Sequence, residues 1–198
     1  MRTEEDELAK WRAALAGDGD AFVAIFDLHR DRVYRHALRL TANVHDAEDV
    51  AAGAFLELWR RRKSVRVVDQ TVLPWLLVTT MNVARNQARA LRRYRTLIAT
   101  LPRAEGSPSA EDEVLERVVA RRRAAQVRET LGELSPTDAS LISLTAFEDF
   151  SPTQAAQVLG ISATAARTRL HRARARMAAV LTEMGVQEED FSSRETSR

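Results

Sequence analysis

The stretch from Phe150 to Met177, FSPTQAAQVLGISATAARTRLHRARARM, leaves the chain the least freedom. Ser151 is placed to cap a helix, Pro152 suits the first helical position, and Gln154 is spaced to reach back to the cap as in a capping box. Ala155, Ala156 and Leu159 give that helix an apolar face, and Gly160 supplies a left-handed stop. Ile161 then turns into the core and Ser162 caps a second helix. In this second helix Ala163, Ala166, Leu170, Ala173 and Met177 recur at helical spacing. The other face carries Arg167, Arg169, His171, Arg172, Arg174 and Arg176, and no acid lies between Asp149 and Glu183. A solvated helix face ordinarily mixes signs so that neighbours pair. A buried stripe behind an all-cationic face, after a short glycine turn, is instead the helix-turn-helix pattern for reading DNA.

The charge distribution supports a polyanionic partner. Formal net charge is only +2 over 198 residues. Yet Gln70 to Ala104 holds six Arg and Phe150 to Thr182 five, with no acid in either window, so the remainder carries −9. Two separate cationic surfaces on an otherwise acidic body suggest two contacts with nucleic acid. Seven Gly and five Pro against abundant Ala and Arg favour an all-α chain. Cysteine is absent, which excludes disulfides and thiolate-bound metals. No apolar run is long enough to span a bilayer, and the acidic start MRTEEDELAK is unlike a signal peptide, so a cytoplasmic location is expected.

Along the first half, residues 4–15 read as a short helix with Leu8, Trp11 and Leu15 on one face. Asp20 is placed to cap a second helix running to about Thr41, with Phe22, Phe26, Val33, Ala37 and Leu40 inward. Asp46 is placed to cap a third, in which Phe55 and Trp59 fall at i,i+4. The valine-rich stretch SVRVVDQTVL shows no partner strand and reads as a loop packed on helices. Pro74 opens a fourth helix whose buried stripe is Leu77, Met81, Ala84, Ala88 and Leu91. On its other side Asn82, Arg85, Asn86, Arg89 and Arg93 align at spacings of three and four, offering charge for phosphate and amides for base edges.

Leu101 to Asp112, LPRAEGSPSAED, cannot hold a helix and marks a flexible linker. The expected organisation is two small helical domains, 1–100 and 113–185, joined by a linker at 101–112 and followed by a polar tail at 186–198. The second domain begins with a helix carrying Leu115, Val118, Val119, Leu131 and Leu134, and serine caps at 135, 151 and 162 divide the rest.

No catalytic constellation is visible. There is no phosphate-binding glycine loop and no zinc-protease motif. His29 and His36 lie two turns apart, roughly 10 Å of rise, too far to share a metal. Asp46, Glu48 and Asp49 read as an acidic helix start that favours the helix dipole. Neither an enzymatic activity, a metal nor a cofactor is expected.

With both halves considered, the chain resembles the extracytoplasmic-function group of bacterial sigma factors, which keep only conserved regions two and four. DAEDVAAGAFLELW, Asp46 to Trp59, looks like the family's region-two signature, and PWLLVTTMNVARNQARALRR like the helix after it. VRETLGELSPTDASLISLTAFEDFSPTQAAQVLGISATAARTRLHRARARM is similar to region four, and the likeness covers nearly everything from Asp20 to Met177. The resemblance implies that Asp46, Glu48, Asp49, Ala52, Phe55 and Trp59 belong to the face that docks on core RNA polymerase. It implies that the loop from Ser64 to Leu73 and the helix after it recognise and open the minus-ten element, with Arg66, Asp69, Gln70, Asn82, Arg85, Asn86, Arg89 and Arg93 as candidates. The helix capped by Ser162 would enter the major groove of the minus-thirty-five element. Thr164, Arg167 and Thr168 would lie nearest the bases, Arg169 and His171 beside them, and Arg172 and Arg176 at phosphate. Core polymerase, promoter DNA and an anti-sigma factor are the implied partners of a monomer.

One departure stands out. Where the family often has Gln-Glu-Thr, this chain has Ala52-Gly53-Ala54, and glycine inside a helix costs about 1 kcal/mol relative to alanine. Two rival classes make different predictions. A stand-alone helix-turn-helix regulator would self-associate and bind a palindrome. An interaction protein without polymerase docking, which the departure would favour, would keep DNA affinity without transcription.

Overall fold

The structure, a computed structural model, describes residues 2–99 and 115–183, with side chains placed at 6–94 and 123–179. The expected linker at 101–112 and tail at 186–198 lie outside the described residues, as do the side chains of Leu115, Val118 and Val119. The first half holds α1 (Arg2–Leu15), α2 (Gly19–Thr41), α3 (Val44–Arg60), a short 3-10 turn at Arg62–Ser64 and α4 (Leu73–Ala99). The second half holds α5 (Leu115–Glu133), α6 (Pro136–Ile142) running into a π-helical turn at Ser143–Phe147, α7 (Pro152–Leu159) and α8 (Ala163–Glu183). The described residues contain no strand, and the fold is all-α.

Two helix starts fall earlier than the acids that were expected to cap them. Asp18, in extended backbone, accepts from the Ala21 amide at 3.0 Å, and Asp20 sits inside the first turn. Asn43, also extended, accepts from His45 and Asp46 at 2.9 and 3.2 Å, so Asp46 lies within α3. In both cases the capping side chain is the one whose own backbone is still extended, which leaves its oxygen facing the free amides.

The α1–α4 helices bury Trp11, Ile25, Val33, Leu58, Leu76, Leu77 and Met81, and the second half buries Leu131, Leu141, Ile142, Leu144, Ala166, Leu170 and Met177 in a cluster continuous with them. The burial stripes differ from those expected at their ends. On α1 the inward face is Glu7, Trp11 and Ala14, with Leu8 and Leu15 only half-buried. Phe26 is exposed at its rim and packs edge-on to Phe55, ring centroids 4.7 Å apart, while Trp59 meets Phe22 at 4.9 Å. The aromatic pairs thus run between α2 and α3 and not along α3. The α4 stripe leaves the core after Ala84, so Ala88 and Leu91 are exposed.

Candidate nucleic-acid interface

The α7–α8 pair forms as its local chemistry dictates. The Ser151 hydroxyl accepts from the Gln154 amide at 3.2 Å and the Gln154 side chain accepts from the Ser151 amide at 2.8 Å, completing the capping box. Gly160 adopts φ 68° and ψ 36°, and the Ile161 amide closes back on Ala156 at 3.1 Å. Ser162 accepts from the Ala165 amide at 3.1 Å. Ala155, Ala156 and Val158 pack inward together with Ala166, Leu170, Ala173 and Met177. Leu159 is only half-buried and Val158 takes its expected place.

The opposite face of α8 exposes Thr164, Arg167, Thr168, Arg169, His171, Arg172 and Arg176, with the Ser162 cap at its base. The acid-free face is not wholly unpaired, because acids arrive from other helices. Arg169 donates to Asp138 at 3.0 Å and Arg176 to Glu133 at 3.5 Å. Both pairs are exposed and so contribute little to stability. Arg167 and Arg172 stand clear with their donors open to a phosphate or base edge.

The loop between α3 and α4 is pinned from below. Val68 and Thr71 exchange backbone hydrogen bonds of 3.1 Å around a two-residue turn in which Asp69 and Gln70 have φ 49° and 61°. Left-handed backbone at both central residues is the type I′ hairpin turn. The turn presents Asp69 and Gln70 to solvent, while Val68 and Val72 are buried beneath it. A single oxygen, Glu7 Oε1, accepts from the Thr71 hydroxyl at 2.8 Å, the Val72 amide at 2.9 Å and His29 Nε2 at 2.9 Å. Burial works to raise the Glu7 pKa, but the His29 hydrogen bond and charge, with the Val72 and Thr71 donors, outweigh it and hold the carboxyl below its ordinary range.

On α4, Asn82, Asn86, Arg89 and Arg93 are exposed as the stripe requires. Arg85 is not: its Nη1 and Nη2 donate to the carbonyls of Leu131 and Leu134 at 2.6 and 2.8 Å, at the end of α5. A guanidinium there satisfies terminal carbonyls and complements the helix dipole. Burial, followed by the charges of Arg89 and Arg92, lowers the Arg85 pKa. The other loop candidates also meet the second half. Arg66 Nη1 donates to the Val158 carbonyl at 3.5 Å and its guanidinium lies against Gly160, while Gln154 donates to Asp69.

The expected docking residues divide. Glu48, Asp49 and Ala52 are exposed along α3, and Asp46 is half-buried beside Gln87 at 3.4 Å. Phe55 is buried and supports this face from beneath; Trp59 is half-buried, with the Arg62 guanidinium 4.3 Å over its ring. Gly53 faces α4, where an added Cβ would lie 3.3 Å from Val83 Cγ1. Sequence reasoning missed Val44 and Leu56, which are more than half exposed on the same helix. Their signal was available, since both are large apolar residues on the polar side of the stripe. Among the described residues no group of His, Asp and Glu is placed to hold a metal ion, and no helix is long and apolar enough to cross a membrane.

Residues 25–94 match the family model for sigma-70 region 2, and residues 124–177 the model for sigma-70, region 4. The ECF RNA polymerase sigma factor SigL of Mycobacterium tuberculosis is 27% identical over 184 residues, covering 90% of this chain and 99% of that protein. Among solved structures, CnrH in complex with the cytosolic domain of CnrY has a TM-score of 0.58 at 24% identity, over 90% of this chain and 98% of that one. The sigma factor RpoE bound to the anti-sigma factor NepR, from Bartonella quintana, has a TM-score of 0.50 at 20% identity, over 81% and 96%. At these identities the two structures speak for the fold.

Proposed function

Because this chain belongs to the extracytoplasmic-function sigma factors, which act in transcription initiation and are not an enzyme class, we propose a division of labour among its surfaces. The 1–100 domain docks on core RNA polymerase through Glu48, Asp49, Ala52 and Leu56 of α3, with Asp46 at the margin. The turn at Asp69 and Gln70, with Arg66 and the Asn82, Arg85, Asn86, Arg89 and Arg93 side of α4, reads and opens the minus-ten element. Opening a duplex means unstacking bases, and an exposed turn above a packed base can receive one. The 113–185 domain places α8 in the major groove of the minus-thirty-five element, with Thr164, Arg167 and Thr168 toward bases and Arg172 and Arg176 toward phosphate. The observation that carries this reading is the exposed cationic face of α8 behind a capped glycine turn, following a region-two helix set in the same chain.

The protein works as a cytoplasmic monomer without catalysis or cofactor of its own. An anti-sigma factor is the further partner of this reading, and the RpoE structure of similar fold is a complex with one. The test is co-elution of the purified chain with bacterial core RNA polymerase on a sizing column, beside a Leu56→Glu variant. Co-elution lost in the variant supports docking through α3. A chain that fails to co-elute, elutes as a dimer and shifts a palindromic duplex is a stand-alone regulator instead.

A further inference from the structure

The turn that carries Asp69 and Gln70 is gripped at its foot by a side chain of the first helix, 64 positions before Thr71. Glu7 of α1 is 5% exposed, and its Oε1 meets the Thr71 hydroxyl at 2.8 Å, the Val72 amide at 2.9 Å and His29 Nε2 of α2 at 2.9 Å. A carboxylate offers only acceptors, so all three partners donate. The Thr71 hydroxyl oxygen in turn accepts at 3.1 Å from the amide of Leu73, the first residue of α4. One buried oxygen thus ties together α1, α2, the turn and the start of α4, and Val68 and Val72 are buried alongside it.

The turn needs such a grip. A type I′ turn asks for left-handed backbone at both central residues, which is why Asn-Gly is its usual pair. Here the pair is Asp-Gln, at φ 49° and 61°, and glutamine has none of the freedom that glycine has there. The ladder beneath it is a single isolated bridge, the exchange between Val68 and Thr71. A hairpin that short does not hold itself in water. The contact at the tip, from Gln154 of α7 to Asp69, is exposed. The grip at the foot is buried and lies within the first half alone.

We propose that Glu7 is a positioning residue for minus-ten recognition: it touches no base, and it sets the turn in its reading conformation before DNA arrives. The proposal rests on the assignment of Asp69 and Gln70 to that element. A carboxylate and a carboxamide read base edges through directed hydrogen bonds, so what they discriminate depends on how they are aimed. Side chains aimed beforehand lose little freedom on binding and select by geometry, whereas those on a loose turn adapt to several bases. Glu7 therefore governs the base preference at the minus-ten element and leaves the minus-thirty-five preference, carried by α8, as it is. The first helix holds none of the expected reading residues, and through Glu7 it becomes part of the reader.

The test loads bacterial core RNA polymerase with the full chain and selects transcribed templates from duplex promoters randomised at both elements. Sequencing the selected templates gives the base preference at each position. Wild type, Glu7→Ala, Glu7→Gln and Thr71→Val are compared. Glu7→Ala removes the grip, Thr71→Val removes one donor while keeping the side chain's shape, and Glu7→Gln keeps an acceptor oxygen in place. The expected result is a minus-ten preference reduced on the order of tenfold in Glu7→Ala and Thr71→Val, the equivalent of one lost base contact. Glu7→Gln keeps most of that preference. The minus-thirty-five preference is the same in all four, which shows that each is folded and loaded. A minus-ten preference kept in Thr71→Val overturns the proposal, and so does a loss shared equally by both elements, the mark of a merely structural residue. Thr71→Val decides alone if Glu7→Ala does not load. A wild type with no preference at either element sinks the sigma reading itself, and the proposal with it.

Discussion

Replacing Glu7 tests whether the turn that presents Asp69 and Gln70 is held by one buried charge. Glu7 Oε1 accepts three donors, from His29, Thr71 and Val72, and the residue is 5% exposed. Glu7→Ala leaves all three without a partner in a dry site. Removing one member of a buried charged cluster destabilises by about 3–5 kcal/mol, which at this chain length lowers the melting temperature by roughly 6–20 °C. Glu7→Gln keeps an acceptor oxygen in the same place and loses only the charge. The difference between a charge-assisted and a neutral hydrogen bond puts its deficit at about 1–2 kcal/mol. The pH dependence has a definite sign. The Glu7 carboxyl is held below its ordinary range, so its stabilisation is full above the unfolded value and is lost as pH falls through the folded one. Urea unfolding of the three proteins should therefore rank wild type above Glu7→Gln above Glu7→Ala at pH 7. The gap between wild type and Glu7→Gln should narrow below about pH 4.3. If Glu7→Gln were as unstable as Glu7→Ala, or the gap held constant in acid, the charge would not be what secures the turn.

Other substitutions probe single contacts. Gly53→Ala should stabilise the protein by up to about 1 kcal/mol, because the half-buried Val83 can move the few tenths of an ångström its 3.3 Å contact requires; a fall in the urea midpoint would mean that it cannot. Gly160→Ala places a side chain on left-handed backbone and evicts the Arg66 guanidinium, so the urea midpoint should drop by the equivalent of about 1–2 kcal/mol with the slope unchanged. Arg172→Ala should weaken duplex binding alike across sequences and reduce the salt slope by about 1, whereas a loss confined to one sequence would place Arg172 at a base.

What the sequence disclosed, and what it did not, follows from the range of each interaction. The α7–α8 unit was legible because its caps, its glycine stop and its burial stripe are set within a few residues of one another. The caps at Asp18 and Asn43 were misplaced by only two and three positions, since a second side chain able to cap lies nearby and backbone conformation decides between them. His29 and His36 could be weighed from the sequence only as a metal pair. Their partners lie 22 and 112 residues away, Glu7 and Glu148, and no periodicity connects them.

Arg85 shows where pattern reading meets a physical boundary. It shares a stripe with Asn82, Asn86 and Arg89, and nothing in its spacing distinguishes it from them. A guanidinium recognises oxygens that converge on it, and the last carbonyls of a helix converge much as phosphate oxygens do. A cationic stripe therefore signals an oxygen-rich partner without saying whether that partner is DNA or the end of another helix. On α8 the acids of α5 and α6 reach Arg176 and Arg169, while Arg167 and Arg172 stay exposed and their guanidinium groups are open to an outside partner. On α4 the ambiguity does not resolve, because α5 ends within 2.6 Å of Arg85. A guanidinium held by the carbonyls that end α5 cannot hold an outside anion through the same donors at the same time.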